Sequence, residues 1–199
     1  VRFPIRWPVV IVVGVVLATI GLVGGYWDQI DHAAVDARHT AALKDLGAND
    51  VEARIRGMNE LEQVTKASPG DQPAVVTELA AFIRSTAGSA DCPDRPVSGD
   101  VQAALGVLNR RPASPDIGTV IDLHGACLRN AQMIRIELVQ ANLSGANLRG
   151  ADLSWAVLDG ADLRGADLAG ADLSHAHAVA ADLTSADLDG ARTEGLHRA

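Results

Sequence analysis

The sequence predicts an α+β chain in which an N-terminal membrane-spanning helix and a small α-helical segment precede a C-terminal β-solenoid. Three observations carry that reading. A five-residue repeat runs in phase through residues 121–195, an uncharged apolar stretch occupies residues 8–25, and apolar residues at helical spacing fill the region between them. The expected divisions are 1–27 for the flank and span, 28–112 for a helical spacer and cap, and 113–199 for the repeats.

Residues 8–25 carry no charged side chain, and Trp7 and Trp27 bracket them at a helical separation of ~30 Å, the thickness of a bilayer's hydrocarbon core. Tyr26 strengthens the second aromatic edge. The segment is therefore expected to contact membrane lipid as a single-pass helix. A cleaved signal peptide fits less well, because no small-x-small cleavage site follows the apolar stretch, and a buried core helix is the remaining alternative. Arg2 and Arg6 precede the span, whereas Asp28, Asp31 and Asp36 follow it before Arg38 and Lys44, which leans towards an extracytoplasmic C-terminal domain under the positive-inside rule. The chain begins with Val1, so an upstream span stays open, and with it the opposite sidedness.

Past the turn at Gly47, the positions of Val51, Ile55, Met58, Leu61 and Val64 predict one amphipathic helix. Asp71 ahead of Pro73 reads as the cap and first turn of a second helix carrying Val75, Val76, Leu79, Phe82 and Ile83. Residues 85–100 read as a loop, residues 101–108 as a short helix, and RPASPD as a Pro-containing linker. Cys92 and Cys127 are too few for a disulfide framework or a four-ligand zinc site; one bridge is open to them but not required.

From Ile121 the chain reads as fifteen blocks of the form ADLxx, with Ala first in thirteen and Leu third in twelve. Five residues advance an α-helix by about 500°, so the leucines would wander around its axis. In a straight strand a five-residue shift reverses the face at each repeat. The remaining solution turns a corner in every block. Ala and Leu lie on one side of a three-residue strand, and the last two positions, often Ser-Gly or Arg-Gly, make the turn. Stacked blocks then form a solenoid with a narrow lumen. Aromatic content of only 3% suits packing by Ala and Leu.

The run NLSGANLRGADLSWAVLDGADLRGADLAGADL resembles the pentapeptide-repeat family over about two fifths of the chain. The resemblance implies a right-handed quadrilateral β-helix with four blocks per coil, inward Ala and Leu, and residues twenty apart stacked on one another. Fifteen blocks would then make just under four coils, a rod of ~18 Å at the ~4.8 Å spacing of paired strands. VEARIRGMNELEQV, PAVVTELAAFIR and DVQAALGVLNRRP also resemble the helical segment that often precedes the repeats in this family, which implies a cap over the first coil. Membrane-associated relatives often carry the repeats on the cytoplasmic side, against the charge count above. Ile121 and Ile136 replace Ala early, while Ala178 and Thr193 replace Leu late. No strong cap follows Gly195, so the last coil is expected to present an edge through which a homodimer could form.

The middle position is Asp or Asn in nine blocks, stacking carboxylates such as Asp162 over Asp182. Two charges ~4.8 Å apart repel by about 0.9 kcal/mol even in water, so local backbone hydrogen bonds at the corners are expected to offset the repulsion. An acidic surface for a basic partner is the other reading. Some members of the family mimic DNA and bind DNA gyrase. Here a rod of ~18 Å would need about ten or eleven phosphate-like charges, whereas the repeats hold eleven acidic residues against five arginines. The net charge of −8 also disfavours direct nucleic-acid binding.

In the twenty-residue register Arg135, Trp155 and His175 share an outer column, with Val157 and His177 beside it, Ile134 close by, and Val139 and Val179 at the next corner. This is the least polar outer region, and Trp and Arg are enriched at binding hot spots. Cover by the chain's own helices is the alternative. His175 and His177 with Asp172 lack a further metal ligand, Ser174 beside His175 implies no catalytic triad, and no phosphate loop, dinucleotide fingerprint or paired zinc motif occurs. The expectation is a membrane-anchored, non-catalytic scaffold or protein-interaction module without cofactor or metal. The alternative is an acidic DNA-mimic regulator of a DNA-binding enzyme such as gyrase, and an enzyme hidden in the helical segment comes third.

Overall fold

The computed structural model describes residues 33–87, 92–93, 95–112 and 118–198. The expected span at 8–25 and the linker residues 113–117 lie outside the described residues. Within the described residues no helix is long and apolar enough to cross a membrane.

Among the described residues four α-helices precede the repeats. The first, α1, covers residues 33–46 and was not expected from the sequence, where its run of alanines is broken by acidic and basic residues. It is followed by α2 at Val51–Ala67, a 3-10 turn at Pro69–Asp71, α3 at Gln72–Ala87 and α4 at Gly99–Arg110. Asp50 caps α2 by accepting the Ala53 N–H at 2.9 Å, which satisfies one of the donors left open in a first turn. Asp71, expected as the cap of the next helix, is instead the last residue of the 3-10 turn. The expected loop is shorter than 85–100 because α3 runs on to Ala87, and α4 gains a turn over the expected 101–108.

The helices bury Met58, Leu61 and Val64 of α2 against Val75, Leu79 and Ile83 of α3 and Val101, Leu105 and Leu108 of α4. Gly57 lets α1 and α2 approach closely, since a Cβ there would lie 2.6 Å from the Ala42 carbonyl oxygen. Arg54 on α2 donates to the fully buried carboxylate of Asp100 at 2.7 Å and to the Ala48 carbonyl at 2.8 Å. Burial pushes Asp100 up, and hydrogen bonds from the Ser98 hydroxyl and Arg54 outweigh it, so the group sits below the usual carboxylate range. At the exposed end of the cap, Arg110 and Lys66 flank Glu62 at 2.6 and 2.8 Å. The Arg110 hydrogen bond is the main reason the Glu62 value falls to about 2.

The repeats form a square β-helix. Parallel bridges join residues twenty apart, Asp122 to Asn142 to Asp162 to Asp182 on one side and Cys127 to Asn147 to Asp167 to Asp187 on the next. Four blocks therefore complete one coil. Each side is shorter than the expected three-residue strand, because only the middle residue of each block bridges before the next corner begins. The fifth residue of every block has positive φ, from 53° at Asn130 to 69° at Gly195. The third residue's carbonyl accepts the N–H three residues on, as in Ala126 to Leu123 at 3.2 Å. This is a type II turn, which needs a left-handed residue at its third position. Ala and Leu fill the lumen: Leu123, Leu143 and Leu163 have no exposed surface, nor do Leu128, Leu148 and Leu168. Burial loosens in the last coil, where Leu183 and Leu188 are only partly covered.

The first coil has no preceding coil to pair with, and the helical segment supplies substitutes for it. The Gln102 side-chain amide donates to the Gln132 carbonyl at 2.8 Å and accepts the Gln132 N–H at 2.9 Å, the two bonds a strand would make. Asn109 donates to the Ile134 carbonyl at 2.9 Å and Arg111 to that of Glu137 at 2.9 Å. The Val97 N–H donates to the Arg129 carbonyl at 3.2 Å, and the Ala87 carbonyl accepts the Cys127 N–H. A disulfide between Cys92 and Cys127 ties the α3–α4 connection to the same coil, and Arg84 pairs with Asp122 at 3.0 Å. These bonds join the helical segment to the first coil.

Stability measurements on four variants check this account. Leu148→Ala should cost about 2–5 kcal/mol in denaturant unfolding, as for other fully buried leucines, and Leu188→Ala clearly less. Gln102→Ala, which strips Gln132 of both partners, should cost about 1 kcal/mol. Gly57→Ala should destabilise by about 1–3 kcal/mol despite alanine's better helix propensity, because the added methyl meets backbone.

Candidate protein-binding face

On three sides of the rod the middle position is Asp or Asn except at Cys127, Gln132 and Arg192, and on the fourth it is never either. All nine Asp and Asn residues at middle positions lie on the first three sides, and each accepts the backbone N–H two residues ahead. Examples are Ser154 to Asp152 at 3.0 Å, Arg164 to Asp162 at 3.0 Å and Thr184 to Asp182 at 2.9 Å. These are Asx turns, in which the side chain fixes the corner that follows. The hydroxyls of Ser144, Ser154 and Ser174 donate to the same oxygens at 2.7, 2.6 and 2.5 Å.

These bonds offset the stacking of like charges. The side-chain hydrogen bond of Arg164, at 2.6 Å, brings Asp162 down to about 2. Asp172 is lowered first by the Ser174 hydroxyl and then by the Ser174 N–H, and Asp182 likewise by Thr184. For Asp122, burial pushes upward and the hydrogen bonds of His124 outweigh it. Arg192 adds a bridge to Asp172 at 2.9 Å.

The fourth side carries Glu137, Val157, His177 and His197 in its middle column, none of them Asp or Asn. Its two corners are also unusual. The left-handed position is glycine in eight of the fifteen blocks, but one corner holds Arg135, Trp155 and His175 and the other Gln140 and Ala180, with φ between 57° and 62°. A left-handed conformation costs a non-glycine residue roughly 1–2 kcal/mol. The side thus lacks its Asx bonds and concentrates backbone strain.

The structure brings most of the expected site residues together. Trp155 is 51% exposed and stacks on His175, ring centroids 4.4 Å apart at an interplanar angle of 21°. His175 in turn lies over Gly195, where a Cβ would meet its ring at 2.5 Å. Arg135 stands one coil above Trp155, and Val157 occupies the middle of the adjoining side. Val139 and Val179 are 42% and 40% exposed at the far corner, but they form no continuous apolar column with each other. Asp159 lies between them in the register and accepts the Val179 N–H at 2.8 Å. His177 and His197 form a second ring stack, centroids 4.7 Å apart, which sequence reasoning did not single out. The absence of glycine at 135, 155 and 175 was the available signal, visible once the fifth position was known to be left-handed. Among the described residues no group of three or more His, Cys, Asp or Glu is arranged to hold a metal ion.

Chains built in this way form a class of repeat solenoids in which a Leu-filled square lumen is wound from five-residue blocks. Residues 126–165, 136–174 and 156–192 match the family of pentapeptide repeats, in eight copies. The similarity to that family is thus confined to residues 126–192, the part of the chain wound into the square β-helix. Similar solved structures include a pentapeptide repeat protein from Nostoc PCC 7120, 39% identical, covering 38% of this chain and 62% of that one, with TM-score 0.37. Another, from the thylakoid lumen of Arabidopsis thaliana, is 30% identical over 40% of this chain and 57% of its own, with TM-score 0.37. A third, from the cyanobacterium Cyanothece 51142, is 29% identical over 47% and 65%, with TM-score 0.32. The chain thus spans roughly three fifths of the length of these proteins. No curated protein matches it.

Two measurements follow. Ala180→Gly should raise the unfolding free energy by about 1 kcal/mol, since glycine adopts positive φ without strain. Asp122, Asp162, Asp172 and Asp182 have folded values below their unfolded ones near 4, so their stabilisation is complete above that value and is lost as pH falls through the folded values, about 2 for Asp162. Thermal melts should therefore decline mainly below pH 4. Asp172→Asn, which keeps the acceptor for the Ser174 N–H, should flatten that decline.

Proposed function

We propose that this chain is a non-catalytic, membrane-anchored interaction module, held to lipid through residues 8–25 and presenting the fourth side of its rod to a protein partner. The observation that carries the reading is the cluster of departures on that side: no Asx bond in its middle column, strained non-glycine residues at both corners, and a half-exposed Trp155 beside Val157. Sites that break the local rules of a fold at an energetic cost are where function concentrates. The helical cap covers the top of the first coil and leaves Trp155 open. Within this reading, Arg135, Val139, Trp155, Val157, His175 and Val179 are the contact residues, with Trp155 and Arg135 as anchors.

The rod is proposed to face an oxidising, extracytoplasmic compartment. The Cys92–Cys127 bridge supports this, because such bonds persist mainly outside the cytosol, and so does the placement of Arg2 and Arg6 before the span. The alternative, a decoy for a DNA-binding enzyme such as gyrase, draws less support. Its stacked carboxylates are engaged by backbone N–H groups and by Arg164 and Arg192.

The test compares capture of membrane and soluble partners by the full chain and by Trp155→Ala, Val157→Asp and Asp167→Asn. Loss in the first two with retention in the third is expected; equal capture by all four removes the assignment of the face. Alkylation of the chain taken from intact cells should add mass at two cysteines only after reduction, and labelling before reduction would place the rod on the cytosolic side.

A further inference from the structure

The nature of the partner can be read from what borders the fourth side; this inference rests on the docking face just proposed. The side is one three-residue segment wide and just under four coils high, ~10 by ~18 Å. Two folded domains need about 800 Å² on each partner for a stable interface, and the corners of a square rod turn away from any flat surface laid against it. A footprint of this size suits a short segment instead.

Its chemistry is set in the second coil, where Asp152, Trp155, Val157 and Asp159 follow one another around one corner and across the side. Each of the two carboxylates spends Oδ1 on a backbone N–H, that of Ser154 at 3.0 Å for Asp152 and that of Val179 at 2.8 Å for Asp159. Among the described residues neither makes an ion pair with a basic side chain, unlike Asp162 with Arg164 and Asp172 with Arg192. Two negative groups whose Oδ2 atoms are uncommitted thus border an apolar pair, on a repeat segment with eleven acidic residues against five arginines.

We propose that the fourth side takes a short basic–apolar–basic segment of a partner protein, its apolar residue on Trp155 and Val157 and its flanking Lys or Arg side chains on Asp152 and Asp159. Charge complementarity steers such a segment towards the rod, and the apolar strip places it.

Fluorescence anisotropy on the full chain in lipid nanodiscs tests this, with empty discs as control. The probes are labelled Lys-Leu-Val-Leu-Lys, the same peptide with Glu for Lys, and Lys-Ser-Ser-Ser-Lys. Only the first should bind. Its affinity should fall at least tenfold in Val157→Asp and Trp155→Ala and at least threefold in Asp152→Asn and Asp159→Asn, which keep their backbone acceptors. Asp167→Asn, on another side, should bind as the parent does, and circular dichroism should show every variant folded. Equal binding of the Ser peptide, an equal loss in Asp167→Asn, or no binding of the Lys-Leu peptide overturns the partner class. If that peptide fails while Val157→Asp still abolishes partner capture, the face stands and the segment chemistry falls. If Val157→Asp changes neither, both fall.

Discussion

Backbone pairing between residues twenty apart is the constraint on which the rod depends. It places the same position of every fourth block in one column, so a residue chosen for its own corner also becomes the neighbour of two others at the spacing of paired strands. Identical Leu columns in the lumen tolerate this well, because apolar stacking has no sign. Identical Asp columns outside do not, and each carboxylate must be engaged locally. The Asx bond does both tasks at once: it fixes the turn and draws charge density towards a backbone N–H.

A solenoid leaves an unpaired edge where its first coil begins, and buried or protected backbone groups need partners. The helical segment supplies them with side chains as well as backbone. The amide of Gln102 is chemically a peptide group on a short tether, which is why it can replace a strand residue opposite Gln132. The disulfide to Cys127 and the Arg84–Asp122 pair fasten the cap over the remaining two sides. Cap and rod are therefore one folding problem, joined by bonds that neither could satisfy alone.

Against this regular background the fourth side stands apart through what it gives up. Valine and histidine replace the turn-fixing Asp, and Trp155 and His175 occupy backbone angles that glycine adopts freely. Ring stacking of Trp155 on His175 recovers part of the cost, since such pairs contribute about 0.5–1.5 kcal/mol beyond their burial. A side that is less favourable for the fold and more apolar towards solvent is the place to look for selection by a partner.

The five-residue period by itself determined the solenoid, its inward Ala and Leu, the corner in each block and, through the family resemblance, the twenty-residue register. It also brought Arg135, Trp155 and His175 into one column. These were legible because a short period admits very few backbone paths. The α2 and α3 helices were legible from 3.6-residue spacing, whereas α1 was not, because its apolar stripe is sparse and its burial comes from the close crossing at Gly57. Only the tertiary structure decided that Gln102, Asn109 and Arg111 complete the first coil, that Cys92 meets Cys127 across 35 residues, and that Asp159 parts the two exposed valines. Those contacts join residues far apart in sequence or one coil apart in space, and no local pattern of residues encodes where a distant chain segment will come to rest.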